Sequence, residues 1–231
     1  MATEGYTFET PRLGIELANP KNDIHCQLYV ELNQQPTFIK NLDGLTSTTN
    51  IDTIRAFLQR RWTDIYEKWG YGNYIVWLKP LADPSLPEPK PIGTVTMVRE
   101  PNAPAPDIGY AFLDAYQGKG YATESCQALL DYCRNEFNQQ QYLCFTRSWN
   151  QASRALAERL GFKLEAEHRL PTGAELACYS LGTEGMNWDL GSIVEDRIKK
   201  MPLDKRAGDA AATAAPVPED AGITETAIAT S

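Results

Sequence analysis

At 231 residues, 42% hydrophobic and 10% aromatic, the chain suffices for one well-buried domain plus a tail, and a net charge of −8 opposes nonspecific attraction to nucleic acid or anionic membrane. No window approaches the roughly 18 consecutive apolar residues of a membrane span, and the opening MATEGYTFETPRLG lacks a basic region followed by an apolar core, so a soluble, cytoplasmic protein is expected. Five scattered cysteines (Cys26, Cys126, Cys133, Cys144, Cys178) without a C-x-x-C pair, and only His25 and His168 as histidines, argue against a disulfide framework, a metal centre or a Ser-His-Asp system.

In chain order, RLGIEL reads as a first strand and KNDIHCQLYVELN as a helix after the Asn19-Pro20 break. NIDTIRAFLQRRWTDIYEKWG then places Ile51, Ile54, Phe57, Leu58, Trp62, Ile65 and Trp69 at spacings of three and four, with Asn50 as cap and Gly70 as stop. At that spacing Trp62, Tyr66 and Trp69 are expected in the core rather than lining a pocket. NYIVWLKP and PIGTVTMVRE are β-branched apolar runs joined by the turn-rich LADPSLPEPK, and DIGYAFLD follows as a third consecutive strand. Next comes a helix with Ala122, Cys126, Leu129, Leu130, Cys133 and Phe137 on one face. YLCFTRSW is a strand, QASRALAERLG a short helix, and FKLEAEHRL and ELACYSLG are two closing strands. The pattern is α/β (α+β), a mixed sheet of about six to seven strands flanked by helices. From residue 203 onward the Ala/Thr/Pro-rich run cannot repay its ordering entropy and is read as a disordered tail. Of the net charge, −3 falls in that segment, where Asp204, Asp209, Glu219, Asp220 and Glu225 outnumber Lys205 and Arg206.

The junction QGKGYA, Gln117 to Ala122, runs from a strand into a helix N-terminus. Unpaired N–H groups and a partial positive charge there suit a phosphate, and glycines at 118 and 120 permit close approach and positive φ. It is neither a dinucleotide fingerprint nor a P-loop, lacking the third glycine of one and the Gly-Lys-Ser/Thr of the other. Taken alone it is equally a tight turn.

Its neighbours carry more. AFLDAYQGKGYATE resembles the Q/R-x-x-G-x-G/A signature of the GCN5-related N-acetyltransferase (GNAT) superfamily, with Gln117, Gly120 and Ala122 in register. SWNQASRALAERLGF resembles that family's strand-Asn-helix segment ending in L-G-F, and TPRLGIEL resembles the T-x-R-L-x-L start of its RimJ/RimL-like branch. The resemblance spans residues 8–182. It implies a GNAT fold within residues 1–202 and a V-shaped splay between the fourth and fifth predicted strands, where acetyl-coenzyme A binds as co-substrate. By the same resemblance, backbone N–H groups of Gly118, Lys119, Gly120, Tyr121 and Ala122 hold the pyrophosphate. Phe112 and Leu113 present edge backbone to the pantetheine and to a developing oxyanion, with Gly109 suited to a bulge there. Asn150 bonds the pantetheine arm or simply caps its helix. The tyrosine acid of many relatives is replaced by Ala157, and Ser153 stands either as the acid or as a packing serine.

No motif selects the base: Glu100, Asp107, Glu175 and His168 are candidates and equally solvated surface. The implied reaction is direct transfer of acetyl to a primary amine, on a peptide N-terminus or a small molecule, by a monomer or homodimer without metal, nucleic acid or membrane. The alternative is a non-catalytic acyl-coenzyme-A sensor or interaction module of the same fold. Nucleotide binding at the glycine loop is disfavoured by the absent Lys-Ser/Thr.

Overall fold

A computed structural model describes residues 5–41, 50–100, 103–170, 173–184 and 193–194. The tail expected from 203 onward lies outside the described residues, as does part of the loop before Asn50. One eight-stranded sheet runs in the order β1-β2-β3-β4-β5-β6-β8-β7. Its strands are β1 (Phe8–Glu9), β2 (Leu13–Leu17), β3 (Asn73–Leu78), β4 (Lys90–Val98), β5 (Asp107–Phe112), β6 (Tyr142–Arg147), β7 (Lys163–Arg169) and β8 (Glu175–Leu181). The helices are α1 (Asp23–Asn33), α2 (Pro36–Asn41), α3 (Ile51–Arg61), α4 (Glu67–Trp69), α5 (Tyr121–Phe137) and α6 (Gln151–Arg159).

The strand count exceeds the expected six to seven because of β1, two residues too short to show alternation. It is held by Thr7 N–H donating to Ile15 O at 2.7 Å and by Phe8, whose ring stacks on Tyr132 with centroids 4.6 Å apart.

Side chains alternate across the sheet and divide the core. Ile108, Tyr110 and Phe112 of β5 join Cys126, Leu129 and Leu130 of α5 and Leu156 of α6 on one face. Ala111 and Leu113 join Tyr29 and Leu32 of α1 and Phe57 and Leu58 of α3 on the other. Leu129 and Leu130 are fully buried, and each such leucine contributes about 2 kcal/mol through removal of apolar surface from water.

Asn50 caps α3 as its sequence position predicts, its Oδ1 accepting from Asp52 N–H at 2.8 Å and Thr53 N–H at 3.1 Å. The expected single helix to Gly70 is interrupted by a π turn at Trp62–Tyr66. That wider turn rotates the following side chains off the apolar stripe. Trp62 and Tyr66 are therefore only half-buried, and Trp69 is 39% exposed beneath the Arg99 guanidinium, not in the core.

Every neighbouring strand pair is antiparallel except β5 and β6, which are parallel and share a single registered pair, Asp107 with Leu143. Beyond it they part, which is the splay expected between the fourth and fifth predicted strands. No bulge falls at Gly109, which pairs regularly with Thr96; the ladder irregularities fall on β4 at Ile92, next to Pro91, and on β7 at Glu165. A proline cannot donate to a ladder, so register breaks more cheaply beside Pro91.

At Gly93 a Cβ would come 2.5 Å from the carbonyl oxygen of Ala111 and from the Phe112 ring. Gly93→Val is therefore expected to push β5 away from β4 and to destabilise the fold by about 1–3 kcal/mol. A thermal melt showing no loss would contradict that reading of the β4–β5 contact.

Candidate active site at the β5–β6 splay

The chain leaves β5 through a 3-10 turn, Asp114–Tyr116, and enters α5 through Gly118 (φ +71°) and Gly120 (φ +81°). Both occupy the left-handed region that a side chain would make costly. A Cβ on Gly118 would meet nothing within 4 Å, so what requires glycine there is conformation, not crowding. Gly120 supplies no side chain to cap α5, and the first N–H bonded back into the helix is that of Glu124, to Gly120 O at 3.0 Å. The preceding N–H groups carry the helix's partial positive charge outward.

The β1–β2 turn clamps this loop. Arg12 Nε donates to Glu124 Oε2 at 2.6 Å, Arg12 Nη1 donates to Lys119 O at 3.2 Å, and the guanidinium lies 4.7 Å from the centroid of the Tyr121 ring. Thr10 Oγ1 donates to the other Glu124 oxygen at 2.5 Å. The Thr and Arg of TPRL thus neutralise the one carboxylate in the first turn of α5, which would otherwise repel an anion at that terminus. Gln117 is exposed but folds back on the loop, its Nε2 donating to Phe112 O at 3.0 Å and to Asp114 Oδ1 at 3.1 Å. Lys119 and Lys90 place their ammonium groups 5.3 and 5.5 Å from the Tyr116 ring centroid, beside the loop.

Next to the loop, the splay opens into a cavity of about 480 Å³ lined by Tyr110, Phe112, Gln117, Gly118, Gly120, Tyr121, Ala122, Asn150 and Ser153, among others. Asn150 caps α6, its Oδ1 accepting the Ser153 N–H at 3.1 Å. Ala152 and Ala155 form a low wall on α6, and Arg159 stands at its end. Ser153 is 3% exposed and its Oγ lies 2.5 Å from the hydroxyl of Tyr110. Burial, then the Cys144 and Cys126 thiols, push the Tyr110 phenol well above its ordinary pKa, against the Ser153 hydrogen bond and Arg159, which pull it down.

Leu113 departs from its predicted orientation: its N–H donates to Ile92 O on β4 at 3.0 Å, which turns it away from the gap. Strand alternation then directs the N–H groups of Phe112 and Tyr110 toward the gap. None of the four base candidates lines the cavity. Asp107 is buried where β5 and β6 meet, Glu100 follows β4, Glu175 is exposed at the start of β8, and His168 is half-buried on β7 opposite Leu176. Among the described residues, those lining the cavity include no carboxylate and no histidine.

Sequence reasoning missed Tyr110, whose signal was its place two residues before Phe112 on the same strand face. It also missed Thr37 and Asn41 of α2, a six-residue helix tied to the site by Thr37 N–H donating to Asp114 Oδ2 at 3.4 Å.

Removing the clamp should loosen the loop selectively. Arg12→Ala is expected to cost about 1 kcal/mol, seen as roughly fivefold faster amide exchange at Lys119 to Thr123 with the strands unchanged. Unchanged exchange there would show that the loop holds itself.

Residues 12–163 match the model of the acetyltransferase (GNAT) domain family. Among solved structures, the chain is similar to a GNAT-family acetyltransferase from Bacillus anthracis, at a TM-score of 0.58 and 20% identity over 76% of this chain and 98% of that one. It is also similar to the Salmonella typhimurium acetyltransferase that modifies the N-terminal serine of a 50S ribosomal subunit protein, at 0.58 and 21% over 74% and 95%. The microcin C7 self-immunity acetyltransferase MccE, solved with acetyl-CoA and AMP, aligns at 0.56 and 21% over 74% and 92%. At these identities the likeness is one of fold. No curated protein matches the sequence. The family match takes in β2 through α6 and the whole of the splay, glycine loop and Asn150–Ser153 turn, and it makes this chain a member of the GNAT acetyltransferases, an acyltransferase that uses acetyl-coenzyme A.

Proposed function

We propose that the protein transfers acetyl from acetyl-coenzyme A directly to a primary amine, on a protein N-terminus or a small molecule, in a ternary complex. The observation that carries this reading is the convergence, in one cavity, of the uncapped start of α5, the open edge of β5 and the Tyr110–Ser153 pair.

In this reading the N–H groups of Gly118, Lys119, Gly120, Tyr121 and Ala122 take the pyrophosphate, with the Lys119 and Lys90 ammonium groups adding positive field. Phe112 offers its N–H to the pantetheine, and Leu113 supports it from the β4 side. Gln117 holds the loop in shape. Asn150 spends its oxygen on the α6 cap and has its amide nitrogen for a pantetheine carbonyl. A strand N–H at the gap steadies the oxyanion as the amine attacks the thioester. Ser153 meets the departing sulfur, a leaving group of pKa near 8.5 that a weak donor suffices to stabilise.

Of the base candidates, Asp107 lies at the closed end of the gap, on the sheet face away from α5 and α6. It would relieve the ammonium of a proton through a water, with Glu100, Glu175 and His168 farther out. The amine thus enters from the α1/α3 side. An acidic body suits a cationic acceptor, and the relative that modifies an N-terminal serine supports a peptide one.

Direct attack is favoured over an acyl-cysteine intermediate. All five cysteines are buried free thiols, and burial pushes Cys26 up, Cys133 up to about 12 and Cys126 higher still. Free thiols also suit a cytoplasmic location, and no helix among the described residues is long and apolar enough to cross a membrane.

The test is a thermal melt with acetyl-coenzyme A, wild type beside Gly120→Val, followed by thiol release with a panel of peptides and small amines. Ligand at about 100 times its dissociation constant adds roughly 2.7 kcal/mol, a rise of several degrees that Gly120→Val should abolish. Acceptor-dependent thiol release completes the case. Binding without turnover on any amine would favour the sensor reading, and no binding would remove the reading altogether.

A further inference from the structure

We propose that Tyr110 is a positioning residue that turns the Ser153 hydroxyl proton toward the coenzyme sulfur. The inference rests on the acetyl-coenzyme A reading of the cavity and gives the proton a direction that the family resemblance does not supply.

A serine hydroxyl has one proton and two lone pairs and rotates freely, so Ser153 alone has no preferred aim. The structure removes that freedom. Tyr110 Oη sits 2.5 Å from Ser153 Oγ and 3.3 Å from the Ser153 carbonyl oxygen, and both residues line the cavity. The phenol has a single proton confined near the plane of its ring, and the shorter contact is the stronger acceptor. Tyr110 is 6% exposed. Around its hydroxyl stand Cys126 of α5, Cys144 of β6 and Arg159 of α6, and burial dominates them, keeping the phenol neutral at any working pH. The 2.5 Å contact admits either oxygen as donor, and the inference takes the phenol, the more acidic of the two hydroxyls, as donating into one lone pair of Ser153 Oγ. The Ser153 proton cannot then return along the same line and points into the cavity.

Both ends of the serine are fixed, since its N–H is already taken by Asn150 Oδ1 at 3.1 Å. Ala157, where many relatives carry a tyrosine, is packed in the core and has no hydroxyl to offer. The acid function at this site has moved from the helix to a strand-and-helix pair.

The transfer step balances without a proton leaving Tyr110. The amine nitrogen bonds to the thioester carbonyl carbon, the carbon–sulfur bond breaks, and its electron pair goes to sulfur. Ser153 Oγ–H hydrogen-bonds that sulfur as charge develops and keeps its own proton, and the proton lost by the attacking nitrogen turns the thiolate into the released thiol. Tyr110 acts only by holding and polarising Ser153.

The experiment needs no acceptor. Coenzyme A itself is bound to the full-length protein, and its thiolate is followed by ultraviolet absorbance across pH in wild type, Tyr110→Phe, Ser153→Ala and the double variant. A donor lost from the sulfur disfavours thiolate, so Ser153→Ala should lower the thiolate-to-thiol ratio at fixed pH about fivefold. Tyr110→Phe should lower it in the same direction, and the double variant should fall no further than Ser153→Ala. Replacement of Tyr110 by a fluorotyrosine, a stronger donor of nearly the same shape, should raise the ratio, and it serves if Tyr110→Phe does not fold. A change with Ser153→Ala but none with either Tyr110 replacement overturns the inference and leaves the cofactor reading standing. Tight binding of coenzyme A with no change in any variant overturns the role of Ser153 as well. Failure of the wild type to bind coenzyme A removes the reading on which both depend.

Discussion

A sheet that opens between two parallel strands leaves backbone N–H and C=O groups without neighbours, and that constraint organises the rest of this molecule. β5 is held on its β4 side along its whole length, from Asp107 with Val98 to Phe112 with Gly93, but meets β6 only at Asp107 and Leu143. The groups directed toward β6 must find partners elsewhere. Gln117 reaches back to take Phe112 O, and the remaining edge is offered to an extended, amide-bearing arm such as pantetheine. The opening persists because each half of the sheet is anchored by different helices, with α1 and α3 under the β5 arm and α6 against β6.

Electrostatics follow from the same opening. In the proposed reading a coenzyme in the splay brings its phosphates to the start of α5, where Glu124 would be unfavourable if left unpaired. Arg12 and Thr10 take up both of its oxygens, so the N-terminal strand pair is tied to the glycine loop and the start of α5. This gives the TPRL opening a physical role: its arginine is spent on a carboxylate, a carbonyl and an aromatic face of the loop rather than on the ligand.

What the sequence revealed was whatever depends on local chemistry. Asn50, Asn150 and the glycines at 118 and 120 were legible because a cap or a positive φ demands particular residue types wherever it occurs. The seven longer strands were legible because most are apolar or β-branched runs of five to nine residues bounded by turn residues. The rest depends on contacts distant along the chain. The π turn at Trp62 changes the helical phase without a compositional mark, so a stripe that looks continuous in sequence puts Trp69 into solvent. β1 and α2 are too short for any period. The β3–β4 ladder slips at Pro91–Ile92, beside a residue that cannot donate, and the β7–β8 ladder at Glu165, which no residue type in the sequence marks. Tyr110 read as one more aromatic in a buried strand, since nothing in GYAF says that its hydroxyl meets a serine 43 positions away.

The two faces of β5 then divide the chemistry. Tyr110 and Phe112 point to the α5/α6 face, where the proposed reading puts the coenzyme sulfur and its donor, while Ala111 packs with α1 and α3 and Asp107 registers with Leu143 at the closed end of the gap. A strand side chain cannot serve both faces, because successive residues alternate. In the proposed reading the donor to sulfur and the base therefore stand on opposite faces of the sheet, and the thioester carbon is the one atom that both must reach.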